Sequence, residues 1–348
     1  MWNDIRTVAS ELLQKNSHLY EISDLDETIL STGYPWALNS SHDTSHLIAV
    51  FAGNLRNGGG PGPTLEAFSK AIAAGSSKFF SDGKLTEHLN IASLARVCAE
   101  FLEDSESLPL AKNGTVDYLA QLKAIANSES ISKRAILPQL LNSVVDFSKI
   151  LVERFDGSAV GFHSSFNQPH KSSDTCDFVV HQYRLISDIP RIGVPLAMNF
   201  FKDSQVPSLR NKTLKEISNY RIGWFVKPDI HVLRFMLMAS GRASSANITY
   251  SDLVHMPEND LKRFYRTTKP KAQWANTDYQ YHSNQPRNES AQWLCIEDVH
   301  NLARKLGVAP LEIDRIFFMV GSGRFSSKKM VKPSQLERYQ ILSEKLEF

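Results

Sequence analysis

Cysteine is scarce in this chain. Its three cysteines in 348 residues, Cys98, Cys176 and Cys295, lie far apart and are odd in number. Such a set builds no disulfide framework and suits a reducing cytoplasm. It also excludes a four-cysteine iron–sulfur loop. Long apolar runs are missing too: no stretch approaches the roughly 20 residues that cross a bilayer. The start, Met1-Trp2-Asn3-Asp4-Ile5-Arg6, is not a basic segment followed by an apolar run, so no signal peptide is read. A cytoplasmic protein with no membrane partner is expected. Period-two alternation is absent, as is an Asn-Gly pair between β-branched runs. The histidines (His42, His46, His88, His163, His170, His181) show no metal-ligand spacing with a nearby acid, so no metal is expected. Asn57-Gly58-Gly59-Gly60-Pro61-Gly62-Pro63 breaks the chain strongly. No Gly-Lys-Ser/Thr follows it and no strand precedes it, so it reads as a loop and not as a phosphate cradle.

What is present is helical periodicity. Ile5, Val8, Ala9, Leu12 and Leu13 mark a helix over 4–22. Further helices are predicted over 46–55, 64–74, 85–102, 116–126, 131–155, 177–186, 195–201, 230–240, 291–306 and 310–321. Residues 243–290 read as irregular, polar and aromatic, with Tyr265, Trp274, Tyr279, Tyr281 and His282 among Arg263, Arg266, Lys269 and Lys271. That interleaving is either a nucleic-acid surface or a solvated loop. The chain divides into an N-terminal helical region, 1–110, a core, 111–325, and a tail, 326–348. Charge is uneven. Residues 1–160 carry 13 Lys/Arg against 19 Asp/Glu, whereas 161–348 carry 26 against 18. A basic half is the footprint expected of a polyanionic partner.

Two short runs in the basic half organise the rest. The first is Ile186-Ser187-Asp188-Ile189-Pro190-Arg191-Ile192-Gly193-Val194-Pro195-Leu196-Ala197. An apolar helix end meets a tight turn, and a new helix begins. Gly193 permits a turn that a side chain would obstruct, and Pro195 fits the first turn of the next helix. Amides left free at that second N-terminus suit one phosphate of a nucleic-acid backbone. The second run is Lys227-Pro228-Asp229-Ile230-His231-Val232-Leu233-Arg234. Pro228 forces extended backbone before it, and Asp229 is a good N-cap for the apolar helix that follows. A carboxylate held there faces whatever cleft lies beside it. The plain alternative is an ordinary cap of a core helix.

Together the two runs resemble those of the helix-hairpin-helix DNA glycosylase superfamily, the group of endonuclease III and the alkyladenine and oxoguanine glycosylases. The family hairpin reads roughly Leu-Pro-Gly-Val-Gly-x-x-Thr-Ala, and its catalytic run roughly Val-Asp-x-His-Val-x-Arg. Ile189–Ala197 matches the first, with Arg191 in place of the first glycine. Asp229–Arg234 matches the second, and the likeness is confined to residues 185–236. The resemblance implies an all-α, two-lobed helical bundle with its cleft between the lobes and DNA as partner. It implies that Ile189, Pro190, Arg191, Ile192, Gly193 and Val194 hold a DNA phosphate. A monovalent cation on the hairpin carbonyls is the only cofactor it suggests. Arg191 is also able to reach a phosphate itself. Asp229 would stabilise an oxocarbenium-like sugar and orient the attacking water. Trp224, Phe225, Lys227 and His231 would lie on the substrate side. Trp224 and Phe225 are candidates to stack on an extruded base, although core packing is the commoner fate of such aromatics and the favoured reading, and His231 is mainly structural. Pro195 stands where bifunctional members keep a Schiff-base lysine, and proline cannot be that nucleophile. Base removal without strand cleavage follows, unless Lys202, Lys212 or Lys227 substitutes.

Two rival readings stay open. One is a nucleoside or nucleotide N-glycosidase like the queuosine-salvage hydrolases, to which Ile150-Leu151-Val152-Glu153-Arg154-Phe155-Asp156-Gly157-Ser158 is faintly similar. The other is a non-catalytic helix-hairpin-helix DNA-binding protein in which Asp229 is only a cap.

Overall fold

The computed structural model describes residues 2–19, 22–30, 43–55, 69, 72–73, 79–91, 93–94, 137–165, 175–190, 192–209, 212–218, 221–267 and 289–324. Helix accounts for 75% of them, and the only sheet among them is one two-stranded hairpin, so the expected all-α class holds. α1 (Trp2–Lys15) buries Ile5, Val8, Ala9, Leu12 and Leu13, the stripe visible in the sequence. α2 (Leu25–Leu30) starts where the Asp24 carboxylate accepts the Glu27 N–H. α3 (Thr44–Asn54) is buried on every side and capped by Asp43.

The next element departs from the sequence reading. Periodicity predicts a helix from Leu85, but Leu85 ends a hairpin of β1 (Phe80–Ser81) and β2 (Lys84–Leu85). Asp82 and Gly83 both take positive φ, 50° and 74°. That two-residue turn matches the twist of the paired strands, and strands of two residues are too short to show alternation. Leu85 N–H then bonds to Gly157 C=O at 2.7 Å.

α4 (Leu137–Phe155) begins with Pro138 in its first turn, and α5 (Ala159–Ser164) follows it closely. α6 (Thr175–Ile186) and α7 (Val194–Ser204) flank the predicted hairpin. Short α8 (Val206–Leu209) and α9 (Leu214–Ser218) lead to a 3-10 turn, Arg221–Trp224. Next come α10 (Ile230–Ala239), α11 (Arg242–Ser245), α12 (Tyr250–His255) and α13 (Glu258–Thr267). Residues 243–267, part of the stretch expected to be irregular, are mostly helical, and Lys269, Lys271, Trp274, Tyr279, Tyr281 and His282 lie outside the described residues. Their helices are short and polar outside, and Thr249 with Asp252 forms a capping box that starts α12. Tyr265, expected on a surface, is fully buried and donates to Asp298 at 2.5 Å. α14 (Glu289–Leu306) and α15 (Pro310–Ser322) close the described chain.

These helices pack around two hydrophobic cores. The first lies among α3, α4, α5, α6 and α7, with Phe51, Phe147, Phe162, Phe200 and Phe201 at its centre. The second lies among α1, α10, α13, α14 and α15, with Leu233, Phe235, Tyr265 and Phe317. α14 serves both: Trp293 and Ile296 face the first, Leu294, Cys295 and Val299 the second. The chain also crosses between them at Phe225 and Val226. α1 and α2 pack into the second core, so the N-terminal region expected over 1–110 is shared between the two. The boundary at 110, the tail 326–348, the loop 57–63 and the helix over 116–126 lie outside the described residues. Among those described, no helix is long and apolar enough to cross a membrane.

Candidate functional site

The predicted αα-turn is present. Ile189 N–H bonds back to Ile186 C=O and Ile192 N–H to Ile189 C=O, each at 3.1 Å. Ile189, Ile192 and Val194 are buried in the first core, and they anchor the turn by their side chains. Gly193 is the N-cap of α7 at φ −84°, ψ 170°. That is extended backbone which any residue adopts, so the turn does not use glycine's conformational freedom there. Pro195 lies in the first helical turn, as expected. The Leu196 and Ala197 amides both return to Gly193 C=O at 3.1 Å. Exposed Pro190 has its carbonyl taken by the Ser143 hydroxyl of α4 at 3.1 Å, so one carbonyl suggested for a cation already has a protein donor. Arg191 lies outside the described residues.

The second run forms an elbow where the chain passes between the cores. Pro228 is buried, and Asp229 N–H bonds to Lys227 C=O at 2.8 Å. Asp229 caps α10 in extended backbone. Its Oδ1 accepts the His231 and Val232 N–H groups at 2.9 and 3.0 Å. The residue is half-buried, and no described group donates to its Oδ2. One oxygen therefore fixes the carboxylate at the start of α10.

Beneath the elbow lies a buried polar seam that joins the cores. Asp314 of α15 accepts the Lys227 N–H on Oδ1 at 3.0 Å and the Lys202 ammonium of α7 on Oδ2 at 2.7 Å. Burial pushes the Asp314 carboxyl above its ordinary value; Lys202 pulls it back down, and the nearby Asp229 charge adds to the rise. Beside this pair, Asn199 bridges Asn54 of α3 and Asp203 of α7. Half-buried Arg315 donates to Thr28 C=O at 3.2 Å, and desolvation lowers its pKa against the opposing charges of Asp203 and Asp314. Cys295 is buried as well. Burial pushes its thiol well up, and the carboxylates of Asp298, Asp229 and Asp314 add to that. An inert thiol results.

The remaining predicted residues divide in role. Trp224 is half-buried, edge-on to Phe178 at 5.7 Å, and its carbonyl meets His300 Nε2 at 2.8 Å. Phe225 is wholly enclosed against Phe178 and Phe201, so it packs the first core and offers no open face to a base. Lys227 is half-buried and tied through its amide. His231 packs on α15, edge-on to Phe318 at 6.0 Å. A Cβ on Gly321 would come within 2.8 Å of the His231 Cβ. The close approach of α10 to α15 therefore depends on that glycine. Arg234, last in the run, is buried and donates to the carbonyls of Leu253 and Val254 at the end of α12. Residues 156–158, part of the run similar to the salvage hydrolases, form the turn that pairs with β2.

Asp314, Arg315 and Asp203 were not singled out in the sequence. The available signal was two charges set inside the apolar helix Ile313-Asp314-Arg315-Ile316-Phe317. Among the described residues, no group of three or more His, Cys, Asp or Glu is arranged to hold a metal ion. A surface groove lined by Asn3, Arg6, Thr7, Ser10, Glu11 and Gln14 contains none of the elbow residues. Comparison with protein-family models, curated proteins and solved structures finds no match.

Proposed function

We propose that this protein hydrolyses the N-glycosidic bond of a damaged or modified base in DNA, with Asp229 as its essential carboxylate. One observation carries the reading. At the crossing between two cores, one oxygen of Asp229 is pinned by two backbone amides while the other has no described donor. In this chemistry the C1′–N bond breaks and its electron pair leaves with the base. The sugar becomes oxocarbenium-like, and a fixed carboxylate opposite C1′ stabilises it without reorganising. Water then adds to C1′ and gives its proton to the carboxylate, which releases it to solvent while the departed base takes one up, so the carboxylate is regenerated. The basic half of the chain and the αα-turn at 189–194 supply the DNA side of the reading, through Ile189, Pro190, Arg191, Ile192, Gly193 and Val194. In this reading Lys227, Trp224 and His231 stand on the substrate side.

Strand cleavage is not part of the proposal. Proline at 195 provides no amine. Lys202 is buried and ion-paired with Asp314, and an ammonium held that way is a poor nucleophile.

The test compares wild type with Asp229→Asn on duplexes carrying deaminated, oxidised, alkylated and hypermodified bases. Asparagine caps a helix about as well as aspartate, so the fold is retained while the charge is lost. Base release that falls by about 100-fold or more in the variant supports the reading. Release equal in both, or none from any duplex by wild type, contradicts it. In the latter case, unchanged salt-sensitive DNA binding would favour a binding protein. Absence of binding would direct attention to free nucleotides.

A further inference from the structure

Asp314 has no part in the reaction as proposed, yet it is built into the elbow. It is only 1% exposed, and both of its oxygens are engaged. Oδ1 receives the Lys227 amide, two residues before Asp229, and Lys227 C=O receives the Asp229 amide in turn. The elbow is therefore held from both sides. Downstream, the Asp229 cap locks it to α10. Upstream, Asp314 locks it to α15. A carboxylate makes the stronger bond to a backbone amide, but an isolated buried carboxylate is costly and needs a counter-ion. Lys202 supplies one from α7, the helix that leaves the αα-turn.

We propose that Asp314 is a positioning residue for Asp229, holding the Lys227–Asp229 elbow through the Lys227 amide, with Lys202 as its counter-ion. The inference rests on the glycosidase reading for its catalytic consequence, but not for its structural one. The helix leaving the DNA-binding turn and the elbow carrying the carboxylate are fastened to the same side chain. Loosening that side chain lets Asp229 drift while its own cap stays intact, and a displacement of about 1 Å at a reacting centre costs about 100-fold in rate.

Two double variants isolate the amide acceptor from the ion pair. Lys202→Met/Asp314→Leu removes both charges and the acceptor. Lys202→Met/Asp314→Asn removes both charges but keeps a carbonyl oxygen for the Lys227 amide. Lys202→Met/Asp314→Ala replaces the leucine variant if leucine proves too large to fold. Two readouts are taken on the full chain: hydrogen exchange at the Lys227 amide, and single-turnover base release on the duplex that wild type acts on. The leucine variant is expected to exchange at Lys227 about tenfold faster, as loss of one buried acceptor implies. It is expected to lose on the order of 10- to 100-fold in single-turnover rate. Asparagine is expected to restore most of both. Equal exchange at Lys227 in the two variants overturns the proposal, and so does an equal rate in two folded variants. If wild type releases no base, the glycosidase reading fails, and exchange alone decides whether Asp314 holds the elbow.

Discussion

At the scale of single residues, Asp229 has two roles that substitution separates. As a cap it satisfies two amides of α10. Asp229→Ala should cost about 1 kcal/mol of stability and Asp229→Asn only a few tenths, as read by urea unfolding. Equal losses would mean that the cap bonds do not hold in solution. The cap was legible in the sequence, because Lys-Pro before it and apolar periodicity after it fix a helix start. Phe225 was less legible: an aromatic beside an elbow reads alike whether it faces a base or a core, and only packing against Phe178 and Phe201 decides. His300 was not legible at all. Burial lowers its pKa from 6.5 to about 4, the bond to Trp224 C=O opposes this, and Arg304 adds to the lowering. The folded protein thus keeps the imidazole neutral where the unfolded chain would protonate it. Its contribution is full above pH 6.5 and is lost as pH falls from 6.5 toward about 4. Such a shift corresponds to about 3 kcal/mol. Unfolding at pH 7 and pH 4.5 should show a drop that is smaller in His300→Gln, and parallel losses in both proteins would refute it.

At the scale of elements, the long amphipathic helices were readable because their periodicity repeats over three or more turns. The short pieces were not. The hairpin at 80–85 has only two residues in each strand, and its identity rests on Asp82-Gly83 and on a bond to Gly157 far along the chain. Two glycines there have different sensitivities. A Cβ at Gly83 would meet nothing within 4 Å, whereas one at Gly157 would lie 2.1 Å from Leu85 O. Both have positive φ. Gly83→Ala should therefore cost only the backbone strain, about 1–2 kcal/mol. Gly157→Ala should cost clearly more, because the turn after α4 must part from β2. Thermal melting of the two variants checks the order, and an equal or reversed effect would show that this packing does not persist. The helices of 242–267 were hidden for a similar reason: polar sequence concealed a capping box and a buried Tyr265.

At the scale of the whole molecule, the two cores meet across charged side chains, and sequence position gave no hint of that pairing. Lys202 and Asp314 are 112 residues apart and buried together. Lys202 reads as one more cation in a basic stretch, since nothing local distinguishes a paired lysine from a solvated one. Lys202→Met alone should destabilise by about 3–5 kcal/mol because Asp314 is left unpaired, while Lys202→Met/Asp314→Leu should cost only about 1–3 kcal/mol, the loss of the Lys227 amide's acceptor. Additive losses in chemical denaturation would mean that the pair is not a coupled unit. The elbow at this junction is proposed to carry the carboxylate that cleaves a glycosidic bond. The most direct measurement is single-turnover base release from lesion-bearing duplexes by wild type and Asp229→Asn, with products resolved before and after hot alkali. Abasic sites are expected from wild type, revealed as strand breaks only after alkali, with a loss of about 100-fold or more in the variant. Release that survives Asp229→Asn, or strand breaks without alkali, would contradict it.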